Sequence, residues 1–280
     1  MKTFETEWMD AQGLRFHAQG WEPDGSPRAA VALVHGLGEH MGRYAHVGEV
    51  FTRAGYAVMG FDLRGHGRSG GPRGHTPSAE AYMQDIDRLL QHVRARYPGR
   101  PLFLYGHSLG SILVVHYVLR RKPDLAGVIA SGLALHSDLE QQPLKMTMAK
   151  VLGSLAPRLT VANGLDAAGL SHDPQVAQAY RSDPLVHDRI SLGFGRVMLG
   201  VNRWTLEHAA EFPLPLLLVH GGADPIAFPS SSREVAAALG ERATLLIWDG
   251  MYHETHNEPE KDKVLQATIE WMQAHAGPRA

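Results

Sequence analysis

Hydrophobic positions along the chain fall into two kinds of segment, short continuous apolar runs and longer stretches with helical spacing. A strand that is covered on both faces is apolar throughout, so the runs predict buried strands. Two weakly alternating strands at about 4–9 and 13–20 precede the apolar runs 29–35, 56–63, 102–105, 127–130, 215–220 and 243–248. Helical spacing predicts helices at about 47–54, 78–97, 111–121, 231–239 and 259–275. This alternation indicates an α/β fold, a mostly parallel sheet flanked by helices.

The alternation stops between residues 133 and 210, where no strand-like run occurs. Apolar residues there recur at helical spacing, at Leu144, Met148, Val151, Leu152 and Leu155, and less cleanly at Leu192, Val197, Met198 and Val201. We therefore expect a core formed by residues 1–132 and 211–280 and a helical cap, residues 133–210, inserted after the sixth strand. Insertions at the carboxyl edge of a parallel sheet act as lids over a site. The alternative for these side chains is packing against the core.

The segment Leu102–Gly110 reads L-F-L-Y-G-H-S-L-G, an apolar run that leads directly into the pattern G-x-S-x-G. A helical run follows at once, which is the strand–turn–helix context of a nucleophile elbow. Gly106 and Gly110 have no Cβ atoms, so the strand and the helix can approach each other. Ser108 is therefore predicted to be a nucleophile that needs a base and an orienting acid from elsewhere in the chain.

A second match to the same pattern occurs at Gly67–Gly71, and it also follows a strand-like run. The next residues are Pro72-Arg73-Gly74, which do not begin a helix. Ser69 is therefore predicted to lie in an ordinary polar loop.

The chain has 17 histidines, so position along the predicted sheet has to select the base. Asp224 follows strand 215–220 in a glycine-rich turn, and His253 lies in the loop after the last long strand. The order Ser108, Asp224, His253 is that of nucleophile, acid and base in an α/β-hydrolase. His256 is the rival base, and the alternative for Asp224 and His253 is an ordinary loop position.

A serine nucleophile with such a base also needs an oxyanion hole, which is a pair of N–H donors for the negatively charged oxygen of the intermediate. Leu109 follows the nucleophile, so its backbone N–H is expected to be one donor. The second donor is expected from the loop after strand 29–35, which reads H-G-L-G-E-H, at the N–H of Leu37. Two such donors stabilise the alkoxide that develops in the transition state.

Composition narrows the classes of partner and cofactor. Among 280 residues, 44% are hydrophobic, which is enough for a substantial core. The net charge of −2 and the absence of a basic block argue against a nucleic-acid partner. There is no cysteine, and the predicted triad needs neither a metal nor an organic cofactor. The N-terminal stretch is acidic where a signal peptide is apolar, and no apolar run reaches the ~20 residues of a membrane span, so we expect a cytoplasmic protein.

Five segments resemble the monoacylglycerol lipase family. They read L-V-H-G-L-G-E-H-M-G-R-Y at 33–44, D-L-R-G-H-G-R-S-G-G at 62–71, G-H-S-L-G at 106–110, Y-R-S-D-P-L at 180–185 and Y-H-E-T-H-N-E at 252–258. The segments at 33–44 and 180–185 are the specific ones, and the resemblance covers about residues 10–273. It implies an α/β-hydrolase with a helical cap that acts on monoacylglycerols, with the triad Ser108, Asp224 and His253.

The resemblance also implies a small polar pocket for the glycerol head, lined by Glu39, Arg43, Tyr180 and His256. An unpaired polar group left in such a pocket costs about 1–3 kcal/mol, which is a source of selectivity. The alternatives are a structural ion pair between Glu39 and Arg43 and a helix-end role for Tyr180.

The sequence thus predicts a serine ester hydrolase that cleaves monoacylglycerols to fatty acid and glycerol through an acyl-enzyme. The nearest alternative is a lysophospholipase or a broad carboxylesterase with the same triad, and a further one is an acyltransferase. A non-catalytic ligand-binding protein on this fold is the alternative of another class. The expected partner is a monoacylglycerol or a related lipid ester, collected through transient contact of the cap with a membrane surface.

Overall fold

The computed structural model describes residues 1–136, 151 and 153–277. Its strands are β1 (Lys2–Met9), β2 (Arg15–Glu22), β3 (Ala29–Val34), β4 (Tyr56–Phe61), β5 (Leu102–His107), β6 (Gly127–Ser131), β7 (Thr160–Ala162), β8 (Arg189–Ser191), β9 (Leu216–Gly221) and β10 (Ala243–Trp248). Its α-helices are α1 (Ala45–Arg53), α2 (Ala79–Arg96), α3 (Leu109–Arg121), α4 (Pro174–Ser182), α5 (Leu192–Glu207), α6 (Ser230–Leu239) and α7 (Lys261–His275).

Eight strands form the central sheet in the order β1-β2-β4-β3-β5-β6-β9-β10. The six strands from β4 to β10 in this order run parallel, whereas β1 and β2 add an antiparallel edge. The carboxyl ends of the parallel strands therefore meet at one edge, where the loops after β3, β5, β9 and β10 emerge.

Both faces of the sheet are covered by apolar side chains. Successive residues of β5 alternate between the two sides, so that Leu104 packs in one core cluster and Phe103 and Tyr105 in the other. The first cluster includes apolar residues of α2, α3 and α6, and the second includes those of α1 and α7. This two-sided burial is why the central strands read as continuous apolar runs. The predicted fold class is confirmed.

The stretch 133–210 differs from the expectation in one respect, because β7 and β8 form a separate antiparallel pair there. Each strand has three residues and β7 is exposed along its length, so neither produces a recognisable apolar pattern. The structure also has α4 and α5 in this stretch.

Apolar residues of the predicted cap face in different directions. Met198 and Val201 of α5 belong to the first core cluster, and Val197 packs against it. For these three residues the alternative of packing against the core is therefore the correct one. Val151 and Leu155 are exposed, and Leu155 is 77% accessible. Leu144, Met148 and Leu152 lie outside the described residues. The division into a core and a cap stays a prediction.

Within the parts of the chain that the structure describes, no helix combines the length and the apolar character that a membrane span requires.

Candidate active site

Ser108 occupies the corner between β5 and α3 with φ 51° and ψ −116°. Residues other than glycine rarely adopt such a conformation, and it is strained. The corner is this tight because its two glycines lack side chains. A Cβ atom on Gly106 would lie 2.3 Å from the carbonyl oxygen of Gly110, and one on Gly110 would lie 2.1 Å from that of Val34. The strand and the helix therefore meet closely enough to present Ser108 at the carboxyl edge of the sheet.

The imidazole of His253 joins Ser108 to Asp224. Its Nε2 lies 2.8 Å from Ser108 Oγ, and its Nδ1 lies 2.7 Å from Asp224 Oδ2. With the proton on Nδ1 donated to the carboxylate, Nε2 has a free lone pair for the proton of the serine hydroxyl. The three predicted residues are therefore brought into hydrogen-bond contact from three separate loops.

Asp224 is fixed on both oxygens. Its Oδ1 accepts the backbone N–H groups of Ile226 at 2.8 Å and Ala227 at 3.0 Å. His220 Nε2 lies 3.2 Å from Oδ2 and 3.0 Å from the Ala227 carbonyl, while its Nδ1 is 2.7 Å from Ser232 Oγ. His220 thus braces the acid. Nothing in the sequence marks this role, because His220 lies at the end of an apolar strand like any buried residue.

Burial and charge oppose each other in the triad. Burial favours the neutral form of Asp224, but the charge of His253 and hydrogen bonds from His220, His253 and Ala227 hold the pKa of Asp224 well below its usual value. Burial likewise lowers the pKa of His253, but the charge of Asp224 and its hydrogen bond outweigh burial and raise that pKa above 6.5. The acid is therefore ionised, and the base gains stability in its protonated form.

The two rival residues lie elsewhere. The hydroxyl of Ser69 donates to the Asp62 carbonyl at 2.5 Å and accepts the N–H of His17 at 2.9 Å, so it is bound within its own loop. The ring of His256 stacks on Tyr44 at 5.1 Å and meets the ring of His107 edge-on at 4.7 Å. Neither residue contacts Ser108 in the way that His253 does.

The loop after β3 lies against the nucleophile. A Cβ atom on Gly36 would be 2.8 Å from Glu39 Oε1 and 3.2 Å from the Cβ of Ser108, so a larger residue would require these neighbours to shift. The Gly36 N–H donates to Glu39 Oε1 at 2.6 Å, and the Gly38 carbonyl accepts the His187 N–H at 2.9 Å. These bonds hold the loop at both sides of Leu37, which lines one pocket together with Ser108.

Leu109 is the first residue of α3, and the first N–H groups of a helix have no acceptor within it. Its N–H is thus placed beside Ser108 with its hydrogen-bonding capacity free for another acceptor. Leu37 shares a pocket wall with Ser108, and Leu109 directly follows Ser108 in the chain; their role as an oxyanion hole stays a prediction.

We refer to the cavity at the nucleophile as the Ser108 pocket; its wall includes Leu37, Glu39, Arg43, Tyr180, His253 and Glu254. Three of the four residues implied for the glycerol head therefore lie in this wall. His256 does not belong to it and packs one layer behind, against His107.

Glu39, Arg43 and Glu254 form what we call the ion triplet. Arg43 NH1 donates to Glu39 Oε2 at 2.5 Å and to Glu254 Oε1 at 2.7 Å, and NH2 donates to Glu254 Oε2 at 2.7 Å. Burial favours neutral carboxyl groups, but the charge of Arg43 outweighs it and lowers the pKa of both Glu39 and Glu254. Both carboxylates are thus ionised, and the predicted ion-pair alternative for Glu39 and Arg43 describes a real contact.

Tyr180 projects from α4 towards the same charges. The guanidinium of Arg43 lies 4.9 Å from the centre of its ring. Its hydroxyl is buried and has no hydrogen-bond partner among the residues described. Buried hydroxyl groups are normally paired, so a bound polar ligand is a natural partner here.

Glu254 is a charged residue of this wall for which the sequence predicted no role. It directly follows the base in Y-H-E-T-H-N-E, so an acidic residue beside His253 was the available signal. Its partner Arg43 lies 211 positions away, and sequence spacing gives no indication of that contact.

Comparisons with known proteins agree with this architecture. A family model described as serine aminopeptidase, S33 matches residues 25–260. A monoacylglycerol lipase of Mycolicibacterium smegmatis is 38% identical over 265 residues, which cover 94% of each chain. An uncharacterized abhydrolase domain-containing protein of Dictyostelium discoideum is also 38% identical over 255 residues, which are 90% of this chain and 27% of that protein. The crystal structure of Paleococcus ferrophilus monoacylglycerol lipase matches with a TM-score of 0.84 and 36% identity, covering 98% of this chain and 100% of that one. The predicted resemblance is confirmed.

Proposed function

The chain belongs to the serine aminopeptidase S33 family, and we propose that it is a carboxylic ester hydrolase that cleaves monoacylglycerols to glycerol and fatty acid. The observation that carries the proposal is the pair of hydrogen bonds, 2.7 and 2.8 Å long, that runs from Asp224 through His253 to Ser108. The Mycolicibacterium and Paleococcus proteins, which match along nearly their whole length, are both named monoacylglycerol lipase and support the same substrate class.

The reaction follows from the positions of these groups. Ser108 Oγ attacks the ester carbonyl while His253 Nε2 takes its proton, and the N–H groups of Leu37 and Leu109 bind the resulting oxyanion. His253 then gives the proton to the glycerol oxygen as the carbon–oxygen bond breaks, which leaves an acyl-Ser108. A water molecule, deprotonated by His253, attacks the acyl group, and His253 returns that proton to Ser108 Oγ as the fatty acid leaves. Asp224 remains ionised and stabilises the imidazolium in both steps.

The alcohol half of the ester is assigned to the side of the Ser108 pocket that carries the ion triplet. An alkyl chain placed there would cover the unpaired hydroxyl of Tyr180 and the polar edge of the ion triplet without forming a hydrogen bond, which is unfavourable. Glycerol instead offers hydroxyl groups to the unpaired hydroxyl of Tyr180 and to the carboxylates. His256 supports this wall from behind through Tyr44, whose hydroxyl donates to Glu39 at 2.7 Å.

The proposal is tested by comparing rates on substrates with one acyl chain: a monoacylglycerol, a triacylglycerol, a lysophosphatidylcholine and a p-nitrophenyl ester, with an aminoacyl p-nitroanilide beside them. We expect the monoacylglycerol to have the highest kcat/KM among the lipids and the anilide to be inert. A lysophosphatidylcholine cleaved faster than the monoacylglycerol would favour a lysophospholipase instead, and cleavage of the anilide alone would favour an aminopeptidase. Failure of a fluorophosphonate to label Ser108 would favour a non-catalytic protein.

The role of Tyr180 has a separate test. Tyr180→Phe removes only the hydroxyl, so it should lower kcat/KM for the monoacylglycerol more than for the p-nitrophenyl ester, which has no glycerol. Tyr82→Phe is the matched control, because the hydroxyl of Tyr82 is likewise buried and unpaired in the described structure but lies in the core. Equal losses on both substrates in Tyr180→Phe would remove glycerol recognition from this residue.

We also propose that the predicted cap touches the lipid surface. Leu155 and its neighbours Val151, Leu159 and Val161 expose apolar side chains within eleven positions of one another. Such side chains contribute about 0.8 kcal/mol for each methylene that enters the lipid, which supports weak and reversible adsorption.

A further inference from the structure

Three charged side chains in the wall of the Ser108 pocket sum to one negative charge. The side chains of Glu39, Arg43 and Glu254 are only 3%, 11% and 2% exposed, so solvent screens them little. The other titratable groups of this wall do not offset the charge. Burial lowers the pKa of His107 to about 4, which leaves it neutral, and His253 is paired with Asp224.

Arg43 is the only arginine or lysine in the described part of this wall. Its NH1 and NH2 groups donate to Glu39 and Glu254 at 2.5–2.7 Å, and one face of its guanidinium lies over Tyr180. Arginine commonly binds a phosphate through two parallel N–H donors, and NH1 and NH2 are one such pair. Glu254 takes both of them, because each of its carboxylate oxygens accepts from a different one. A phosphate entering the pocket would find no free cation and a net negative wall.

We propose that Glu254 makes the Ser108 pocket selective for uncharged alcohols such as glycerol and against alcohols that carry a phosphate. The inference rests on the proposed function, since it concerns the alcohol half of an ester bound at Ser108. In a lysophospholipid the phosphate is attached directly to the glycerol, so it comes nearest to this wall, whereas a choline beyond it lies further out. Repulsion between like charges in a poorly hydrated site lowers binding by about tenfold or more.

The wild-type enzyme tests charge separately from size. Three esters with one acyl chain are compared in micelles of an uncharged detergent: 1-acylglycerol, 1-acylglycerol 3-phosphate and the dimethyl triester of that phosphate. The triester is larger than the phosphate but uncharged. We expect kcat/KM for the phosphate to be at least about tenfold below that of the other two. A triester as poor as the phosphate would assign the selectivity to size, and a phosphate as good as the 1-acylglycerol would remove it; either result overturns the proposal.

A matched pair of variants then tests the residue. Glu254→Gln makes the ion triplet neutral, and Glu260→Gln makes the same charge change on an exposed residue nearby. With rates normalised to the sites titrated by a fluorophosphonate, the preference for the 1-acylglycerol over its phosphate should fall by about tenfold in Glu254→Gln only. An unchanged preference in folded Glu254→Gln, or an equal fall in Glu260→Gln, contradicts the inference.

Failure of the proposed function and failure of the role of Glu254 give different results. An enzyme that cleaves a p-nitrophenyl ester but no 1-acylglycerol refutes the proposed substrate rather than the role of Glu254. Should Glu254→Gln not fold, the comparison of the phosphate with its triester in the wild type still decides whether charge sets the selectivity.

Discussion

Replacing His253 by alanine removes the group that takes the proton of Ser108. Its Nε2 lies 2.8 Å from Ser108 Oγ, and no other ring nitrogen bonds that hydroxyl among the described residues. Nucleophile and base act as one unit, and losing either reduces kcat by roughly 10⁶-fold. At 1.36 kcal/mol for each factor of ten, that is about 8 kcal/mol of transition-state stabilisation.

His256→Ala is the matched control, because it removes the same kind of side chain from the same loop. Its ring fills the space between Tyr44 and His107, so the variant should lose about 2–4 kcal/mol of unfolding free energy through the cavity. The hydrogen bond between His253 and Ser108 is left in place. We therefore expect His256→Ala to lose far less kcat than His253→Ala.

The assay uses a short, soluble p-nitrophenyl ester, so that neither glycerol binding nor lipid adsorption affects the rate. Circular dichroism shows whether each variant is folded, and thermal unfolding measures the cost of the cavity. If His256→Ala lost as much kcat as His253→Ala while remaining folded, the assignment of the base would be wrong.

Three further predictions concern the titration of the base, the elbow and the cap. The acid limb of the pH profile of kcat/KM should have its midpoint above pH 6.5, because Asp224 more than offsets the effect of burial on the pKa of His253 and only the neutral imidazole accepts a proton. Glu254 also raises that pKa, so Glu254→Gln should move the limb to lower pH; an unmoved limb would contradict this. Gly110→Ala should lower the free energy of unfolding by about 1–3 kcal/mol and should also lower activity, because its Cβ would lie 2.1 Å from the Val34 carbonyl oxygen. Gly200→Ala in α5 is the control, because its Cβ would meet nothing within 4 Å and should not destabilise the fold. Leu155→Ser should weaken sedimentation with liposomes and turnover of vesicle-borne substrate but not of a short soluble ester, and unchanged adsorption would mean that this side chain does not meet the lipid.

The strand–turn–helix at Ser108 could be read from the sequence because its causes are local. The apolar run, the two flanking glycines and the helical spacing that follows are all within twenty residues. The same local reasoning set Ser69 aside, since Pro72-Arg73-Gly74 does not begin a helix. The order of the strands then identified Asp224 and His253, because the loops after parallel strands emerge at one edge.

Contacts between residues far apart in the chain could not be predicted from local sequence. The wall of the Ser108 pocket depends on the contact between Arg43, which precedes α1, and Glu254, which follows β10. Nothing in the sequence near either residue indicates this contact. The short strands β7 and β8 were missed because three residues are too few to show a period, and those of β7 are all exposed. His256 was expected in the pocket, but its ring packs against Tyr44 and His107, a preference that only the tertiary structure reveals.

Competition between substrate and a covalent label examines the nucleophile and the proposed substrate in one assay. The enzyme is treated with a fluorophosphonate in the presence of increasing monoacylglycerol, and the modified residue is identified by peptide mass spectrometry. We expect a single adduct on Ser108 that forms more slowly as the monoacylglycerol concentration rises, with half-protection near the KM for that substrate. An adduct on another residue, or labelling of Ser108 that monoacylglycerol does not slow, would contradict it.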